Sequence, residues 1–294
     1  SDTPMQPASV MKLLTTFAAL ELLGPAYRWQ TPVWLDGRIS SAGVLKGNLV
    51  IQGQGDPKLV LEKLWLLLHR LQGLGIRTIG GDIVLDNSAF KLASTDAAEF
   101  DGEPLRPYNA SADALLVNFK SVVMTFTPDL QTNSARVQYD PPLSGVQLQT
   151  SVALSTTKPG ANGACGDYRA SLRADFADPT SIRFSGSYPA SCGEKVWPIA
   201  YADPASYNAR AVEGLWRSMG GLLNGTVRHG AAPQGPATFE ITSPTVAELI
   251  RDVNKFSNNV MAQQMFLTLG LPAPATPESA REAVRQWWQR RISA

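Results

Sequence analysis

The sequence predicts a multi-domain fold of mixed α and β segments, and three observations support this. The chain has 294 residues, 44% of them hydrophobic, enough for more than one packed core. Residues 44–85 read as strand, helix, strand, the succession of an α/β lobe. The stretch from 114 to 200 breaks into short strands with many turns, while both ends of the chain carry helical periodicity.

Taken in order, residues 9–23 (SVMKLLTTFAALELL) place apolar side chains at 10, 11, 13, 14, 17, 18, 20 and 22. These cover most of a helical circumference, so a buried helix is expected. Pro7 precedes it and Gly24-Pro25 stops it. Residues 27–35 and 44–52 read as strands around the turn DGRISSAG. An amphipathic helix is expected at 60–73 and a strand at 76–85. Residues 93–112, rich in Pro, Asp and Ala, read as a loop. The β-rich section then includes ALLVNFKSVVMTFTP, ARVQYDPP, VQLQTSVALS, SLRADFA and SIRFSGSYP. After it come a helix at 205–219, a strand near 237–242, and a helix at 244–253 with Pro244 in its first turn after Ser243. The last helices are expected at 259–269 and at 277–291, the latter capped by Thr276.

Composition removes several function classes. The formal net charge is +1, so no global field favours nucleic acid or an anionic membrane. Arg281, Arg285, Arg290 and Arg291 cluster near the end of the chain and read as a solvated helix face. No apolar run approaches the roughly 20 residues of a membrane span. No signal peptide opens the chain, and SDTPMQPASV reads as the internal start of a processed or fragmentary protein. The two cysteines, Cys165 and Cys192, lie in polar surroundings without a nearby histidine. A disulfide formed in an oxidising compartment is a better reading for them than a zinc site, the alternative being two free thiols. No H-E-x-x-H, C-x-x-C or G-x-S-x-G occurs, so neither a metal nor a nucleophile elbow is implied. His69 reads as a partly exposed helix residue and His229 as part of a turn. GQGDPK (53–58) has Lys58 where a dinucleotide fingerprint needs its third glycine, so no cofactor is implied.

Two short motifs carry chemistry. Ser9 and Lys12 stand three residues apart at the head of the first helix, where side chains at i and i+3 share a face about 5–6 Å apart. A lysine desolvated among apolar groups loses its proton more easily and becomes a base for the serine hydroxyl. The helix N-terminus favours negative charge on that oxygen. The plainer reading is an N-cap serine and a surface lysine. Against it stands the apolar sequence around Lys12. The second motif, Ser257-Asn258-Asn259, falls in a break between two helices and offers a hydroxyl for proton relay and an amide for a substrate carbonyl.

PASVMK and KFSNN together resemble the D-alanyl-D-alanine carboxypeptidases of the penicillin-binding protein 4 (DacB) type, peptidase family S13. VLKGNLVIQGQGDPKL, IGGDIVLDNSAF, YNASADALLVNFKSV and ASYNARAVEGLW resemble them as well, so the likeness runs over essentially the whole chain. It implies a β-lactamase/transpeptidase-like catalytic domain split between residues 1–29 and 236–294. A two-lobed insert separates the halves: a mostly β lobe of residues 30–52 and 125–235, and an α/β lobe of residues 53–124. By the resemblance, Ser9 is the acylated nucleophile and Lys12 its proton acceptor. Ser257 relays protons to the leaving group, Asn259 binds the substrate backbone, and the Ser9 amide supplies half of an oxyanion hole. Asp101 or Glu103, near Tyr108, is expected to meet the free amine of a diamino acid. The implied function is a periplasmic serine DD-peptidase acting on peptidoglycan stem peptides and acylated by β-lactams, with no cofactor, and with a homodimer left open.

One departure stands out. The family's third motif, K-T-G, is missing from these 294 residues. Lys158-Pro159-Gly160 is the nearest string, but its central proline has no N–H to pair with substrate. By family spacing the motif falls beyond residue 294, so the catalytic domain is expected to be incomplete at its C-terminus. The competing reading is a non-catalytic peptidoglycan-binding protein of the same fold. A β-lactamase is disfavoured by the large insert and the lack of a glutamate-bearing deacylation loop.

Overall fold

The segment from 30 to 52 folds back on itself, and the hairpin it forms organises the largest sheet. In the computed structural model, which describes residues 7–94, 96–155 and 165–292, β1 (Gln30–Ile39) pairs antiparallel with β2 (Val44–Gln52) from Val33↔Ile51 to Ile39↔Leu45. Gly37 and Gly47 face each other across this hairpin. A Cβ on Gly47 would lie 1.8 Å from the Asp36 carbonyl oxygen, so only glycine allows this approach. β2 then pairs in parallel with β3 (Thr78–Ile79) and β4 (Ile83–Asp86). The connection is α2 (Leu61–Gly73), which buries Leu64, Leu67, Leu68 and Leu71 against the sheet. One strand expected at 76–85 is thus two, because Gly80 and Gly81 run tight against the Leu45 and Gly47 carbonyls.

Later parts of the chain complete this sheet. α4 (Pro204–Ser218) leads to β13 (Leu222–Leu223) and β14 (Val227–His229), parallel to β3 and β4, and β15 (Phe239–Thr242) closes the other edge antiparallel to β1. The sheet has seven strands.

A second sheet has five strands in the order β11 (Tyr188–Pro189), β8 (Ser151–Ser155), β6 (Ser134–Asp140), β5 (Ser121–Asp129) and β12 (Lys195–Ala200). Alternation along β5 sends Val122, Met124 and Phe126 inward. β7 (Gln147–Leu148), β9 (Ala174–Asp175) and β10 (Ser181–Phe184) form a small third sheet. Cys165 and Cys192 are joined in a disulfide, as their composition suggested. Of the strand expected at SLRADFA only the two residues of β9 form, and the first two residues of that stretch end a helix. Asp167 accepts hydrogen bonds from the Arg169 and Ala170 amides and starts this short helix, α3 (Tyr168–Leu172). Lys158-Pro159-Gly160 lies outside the described residues.

Residues 30–52 pair with β3, β4 and β15 in the seven-stranded sheet, which also takes in β13 and β14. One continuous apolar cluster runs from Leu64 on α2 through Leu115 and Val122 to Phe126 and Tyr188, so the two sheets share a core.

The remaining helices pack beside these sheets. They are α1 (Met11–Leu23, preceded by a 3-10 turn at Ala8–Val10), α5 (Val246–Phe256), α6 (Asn259–Thr268) and α7 (Pro277–Ile292). Trp29, Val246, Leu249, Val253, Met261 and Met265 form one small core among them, and Ala18, Ala19, Leu269 and Trp287 another. The expectation of a buried α1 is corrected. It buries only Thr16, Ala18 and Ala19, since α5, α6 and α7 contact one side of it and leave the other in solvent. α5 begins at Val246 rather than 244, because Thr245 and Glu248 form a reciprocal capping box one residue beyond Pro244. The arginines of α7 are solvated, and Arg281, Arg285 and Arg291 pair with Glu278, Glu282 and Glu21.

Candidate active site

Three polar groups converge where α1 begins and α5 ends. Ser9 sits in the 3-10 turn and Lys12 one turn further on. The Lys12 ammonium Nζ lies 3.2 Å from Ser9 Oγ and 3.3 Å from Ser257 Oγ, and the Ser257 hydroxyl donates to Ser9 Oγ at 2.9 Å. The helix supplies the first of these contacts through its i, i+3 spacing. The others are long-range and depend on how α1 packs against α5.

The backbone at Ser257 is unusual. Its φ is +51°, a left-handed conformation that a serine seldom adopts. It caps the C-terminus of α5 with its amide on the Val253 carbonyl and turns its hydroxyl toward Ser9. Asn258 plays no part in this triangle. It accepts the Met261 amide and caps α6, which starts the next helix without a loop. Asn259 is the first residue of α6 and donates from Nδ2 to the Tyr108 carbonyl at 3.5 Å.

The surroundings of Lys12 disfavour its charged form. Desolvation lowers its pKa from the usual lysine range. Among the described residues no carboxylate lies within ion-pair distance of it to hold the proton.

The triangle opens on a groove of about 800 Å³ that is lined by Ser9, Ser257, Asn259 and Tyr108, with Lys58 and Phe119 opposite. Of the candidate substrate-binding residues Asp101, Glu103 and Tyr108, only Tyr108 lines it. Asp101 stands behind Tyr108 and accepts from its hydroxyl at 2.7 Å, from Asn109 Nδ2 at 2.7 Å and from the Glu103 amide at 3.0 Å. The Tyr108 hydroxyl is the main influence holding the Asp101 carboxyl below the usual range, and the same bond raises Tyr108. Glu103 turns to Arg106 at 3.7 Å, in a neighbouring recess.

Two groove features escaped the sequence reading. Lys58, noted only as spoiling a glycine fingerprint, lines the groove and pairs with Asp252 on α5 at 2.5 Å. Asn118, Phe119 and Lys120 are three consecutive left-handed residues with φ of +43°, +54° and +47°. Asn118 holds this turn by accepting the Leu61 amide and donating to the Ser121 carbonyl. Asparagine tolerates such a backbone, but nothing in NFK alone signals three such residues in a row. Among the described residues no cluster of His, Cys, Asp or Glu is placed to hold a metal, and no helix is long and apolar enough to cross a membrane.

Known proteins share this arrangement of elements. Over 98% of its length the chain superposes on the crystal structure of penicillin-binding protein 4 (DacB) from Haemophilus influenzae, with a TM-score of 0.71 and 24% identity, covering 62% of that chain. The same Haemophilus protein complexed with a novel β-lactam matches with a TM-score of 0.66 and 23% identity, covering 61% of that chain. In sequence, a D-alanyl-D-alanine carboxypeptidase of an Actinomadura species is 26% identical over 274 residues, which is 90% of this chain and 49% of that protein. The D-alanyl-D-alanine carboxypeptidase DacB of Haemophilus influenzae is 40% identical over 89 residues, 30% of this chain and 18% of that protein. The chain therefore spans about half the length of the Actinomadura relative. The family model described as D-Ala-D-Ala carboxypeptidase 3 (S13) matches residues 1–291, and the chain belongs to that family.

Proposed function

We propose that this chain carries the acylating machinery of a serine DD-peptidase that acts on peptidoglycan stem peptides. It removes a terminal D-alanine or cuts a D-alanyl cross-link. The observation that carries the reading is the triangle of Ser9, Lys12 and Ser257, closed by contacts of 2.9, 3.2 and 3.3 Å. Neutral Lys12 takes the Ser9 proton as Oγ attacks the carbonyl carbon of the scissile bond. The positive end of α1 and the Ser9 amide face the developing oxyanion. The proton then passes from Lys12 through the Ser257 hydroxyl to the leaving amine, and the C–N bond breaks. Water attacks the resulting ester by the same route in reverse and frees Ser9. Asn259, at the head of α6, holds the substrate backbone.

A β-lactam enters the same path, but its leaving nitrogen stays tethered, so the acyl-enzyme persists. The relative solved with a β-lactam supports this extension. A periplasmic location fits the substrate and the Cys165–Cys192 disulfide. The test is covalent labelling by a fluorescent penicillin, followed by mass spectrometry of the labelled peptide. The reading expects one adduct on Ser9 and none in Ser9→Ala. An adduct that survives Ser9→Ala overturns it. Stem-peptide binding without any adduct in the unaltered chain would carry the non-catalytic binding alternative instead.

A further inference from the structure

We propose that the recess between Arg106, Arg169 and Trp197 is a second subsite that holds a free carboxylate on the peptide whose scissile bond lies at Ser9. The proposal rests on the peptidase reading above and adds a charge requirement to its substrate.

Position is the first ground. The recess has a volume of about 320 Å³ and shares Pro107, Tyr108 and Pro198 with the groove of Ser9, so the two spaces adjoin. An extended peptide leaving the serine has only the Pro107–Tyr108 edge to cross.

Charge is the second. Two guanidiniums face the recess against one carboxylate, that of Glu103, which pairs with Arg106 at 3.7 Å. Arg169 forms no ion pair among the described residues. Its guanidinium lies 5.4 Å from the ring centre of Trp197 and 5.7 Å from that of Tyr168, with Nε donating to the Tyr168 hydroxyl at 3.4 Å. Stacking on those rings restricts the planar fork and leaves its edge for a ligand.

The third ground is that the protein spends structure on this placement. Asp167 caps the helix that carries Arg169, accepting the Arg169 and Ala170 amides at 3.1 Å each. The Tyr168 hydroxyl donates to the Val196 carbonyl at 3.2 Å, which ties α3 to the strand bearing Trp197. The Cys165–Cys192 disulfide joins the residues just before α3 to the turn just before that strand. Phe176 packs edge-on to Trp197 at 5.5 Å and makes an apolar wall. A guanidinium fixed beforehand loses little freedom on binding, and its fork matches a carboxylate by two parallel hydrogen bonds. The apolar wall suits the methylenes that separate such a carboxylate from the main chain. A γ-linked glutamyl residue, whose α-carboxylate stays free, has this chemistry.

The experiment titrates the full chain with two peptides, γ-D-glutamyl-L-lysyl-D-alanyl-D-alanine and the same peptide with the glutamyl α-carboxylate replaced by an amide. Calorimetry reads the affinities. The free acid is expected to bind about tenfold more tightly than the amide, as one charge-assisted pair at a partly exposed site allows. Arg169→Gln is expected to bind both alike, and Arg169→Lys to keep part of the difference, with thermal unfolding unchanged in each. Equal binding of the two peptides by the unaltered chain, or a preference that survives Arg169→Gln, overturns the subsite. Penicillin labelling of the unaltered chain is read in parallel. Its absence overturns the peptidase reading, whereas labelling with equal peptide affinities overturns the subsite alone.

Discussion

The sheeted part of the molecule and the helices beside it bury their apolar residues differently. Leu67, Ile83, Phe126, Tyr188 and Trp216 are wholly buried in one shared core beneath the sheets. The helices hold only small separate clusters, and Val10, just before α1, and Leu13, on it, stand 65% and 56% exposed. The groups proposed to react sit in this second region. Ser9 and Ser257 are exposed and held by local backbone devices, a 3-10 turn and a left-handed helix cap, rather than by burial. On the proposed function, stability and chemistry are carried by different residues, and mutations should separate them.

The sharpest separation is expected at Ser9. Ser9→Ala should abolish penicillin labelling while thermal unfolding shifts by less than about 0.5 kcal/mol, as is usual for an exposed side chain. A large loss of stability would break the comparison. Next comes Lys12→Ala, with labelling slowed about 100- to 10,000-fold, the usual range for a positioned base. In the unaltered chain the labelling rate should rise with pH, because the neutral amine is the reactive form. Since desolvation lowers the Lys12 pKa, the midpoint should fall below that of a free lysine. A rate independent of pH across that range would remove Lys12 as the base.

In the sheet core the pattern should invert. Phe126 stacks on Tyr188 at 5.5 Å and meets Phe184 edge-on at 5.4 Å. Phe126→Ala should cost about 3–5 kcal/mol in denaturant unfolding through the cavity it leaves. The folded fraction should still label at the normal rate. The smallest effect is expected at the start of α5, where Thr245→Ala removes one side of the capping box and costs about 1 kcal/mol. Because α5 ends at Ser257, a change in labelling larger than that in stability would show that the cap also aims the hydroxyl.

How much was legible beforehand varied with the range of the interactions. Strand β2 and helices α2, α4 and α6 lie within a residue or two of their expected bounds, because each carries its own periodicity and stop signals. The disulfide was legible from the setting of the two cysteines. Of the strand expected at 171–177 only Ala174–Asp175 forms, because the cap at Asp167, outside the stretch being judged, draws Ser171 and Leu172 into a helix. The partners of residues 30–52 were not legible, because partner choice in a sheet is made by strands far apart in the chain. At the site, Ser9 and Lys12 were legible as one helical turn, whereas Lys58 and the left-handed Asn118–Lys120 turn were not.

By itself the sequence determined the positions of strand β2 and of helices α2, α4 and α6, that Ser9 and Lys12 share a helix face, and that Ser257 falls in a helix break. Local propensities and short-range hydrogen bonds decide all of these within a few residues. Only the tertiary structure decided that the Ser257 hydroxyl reaches Ser9 across 248 positions, that Tyr108 rather than Asp101 lines the groove, and that one side of α1 stays in solvent. Those outcomes depend on which surfaces meet, and that is settled by packing between residues distant in the chain.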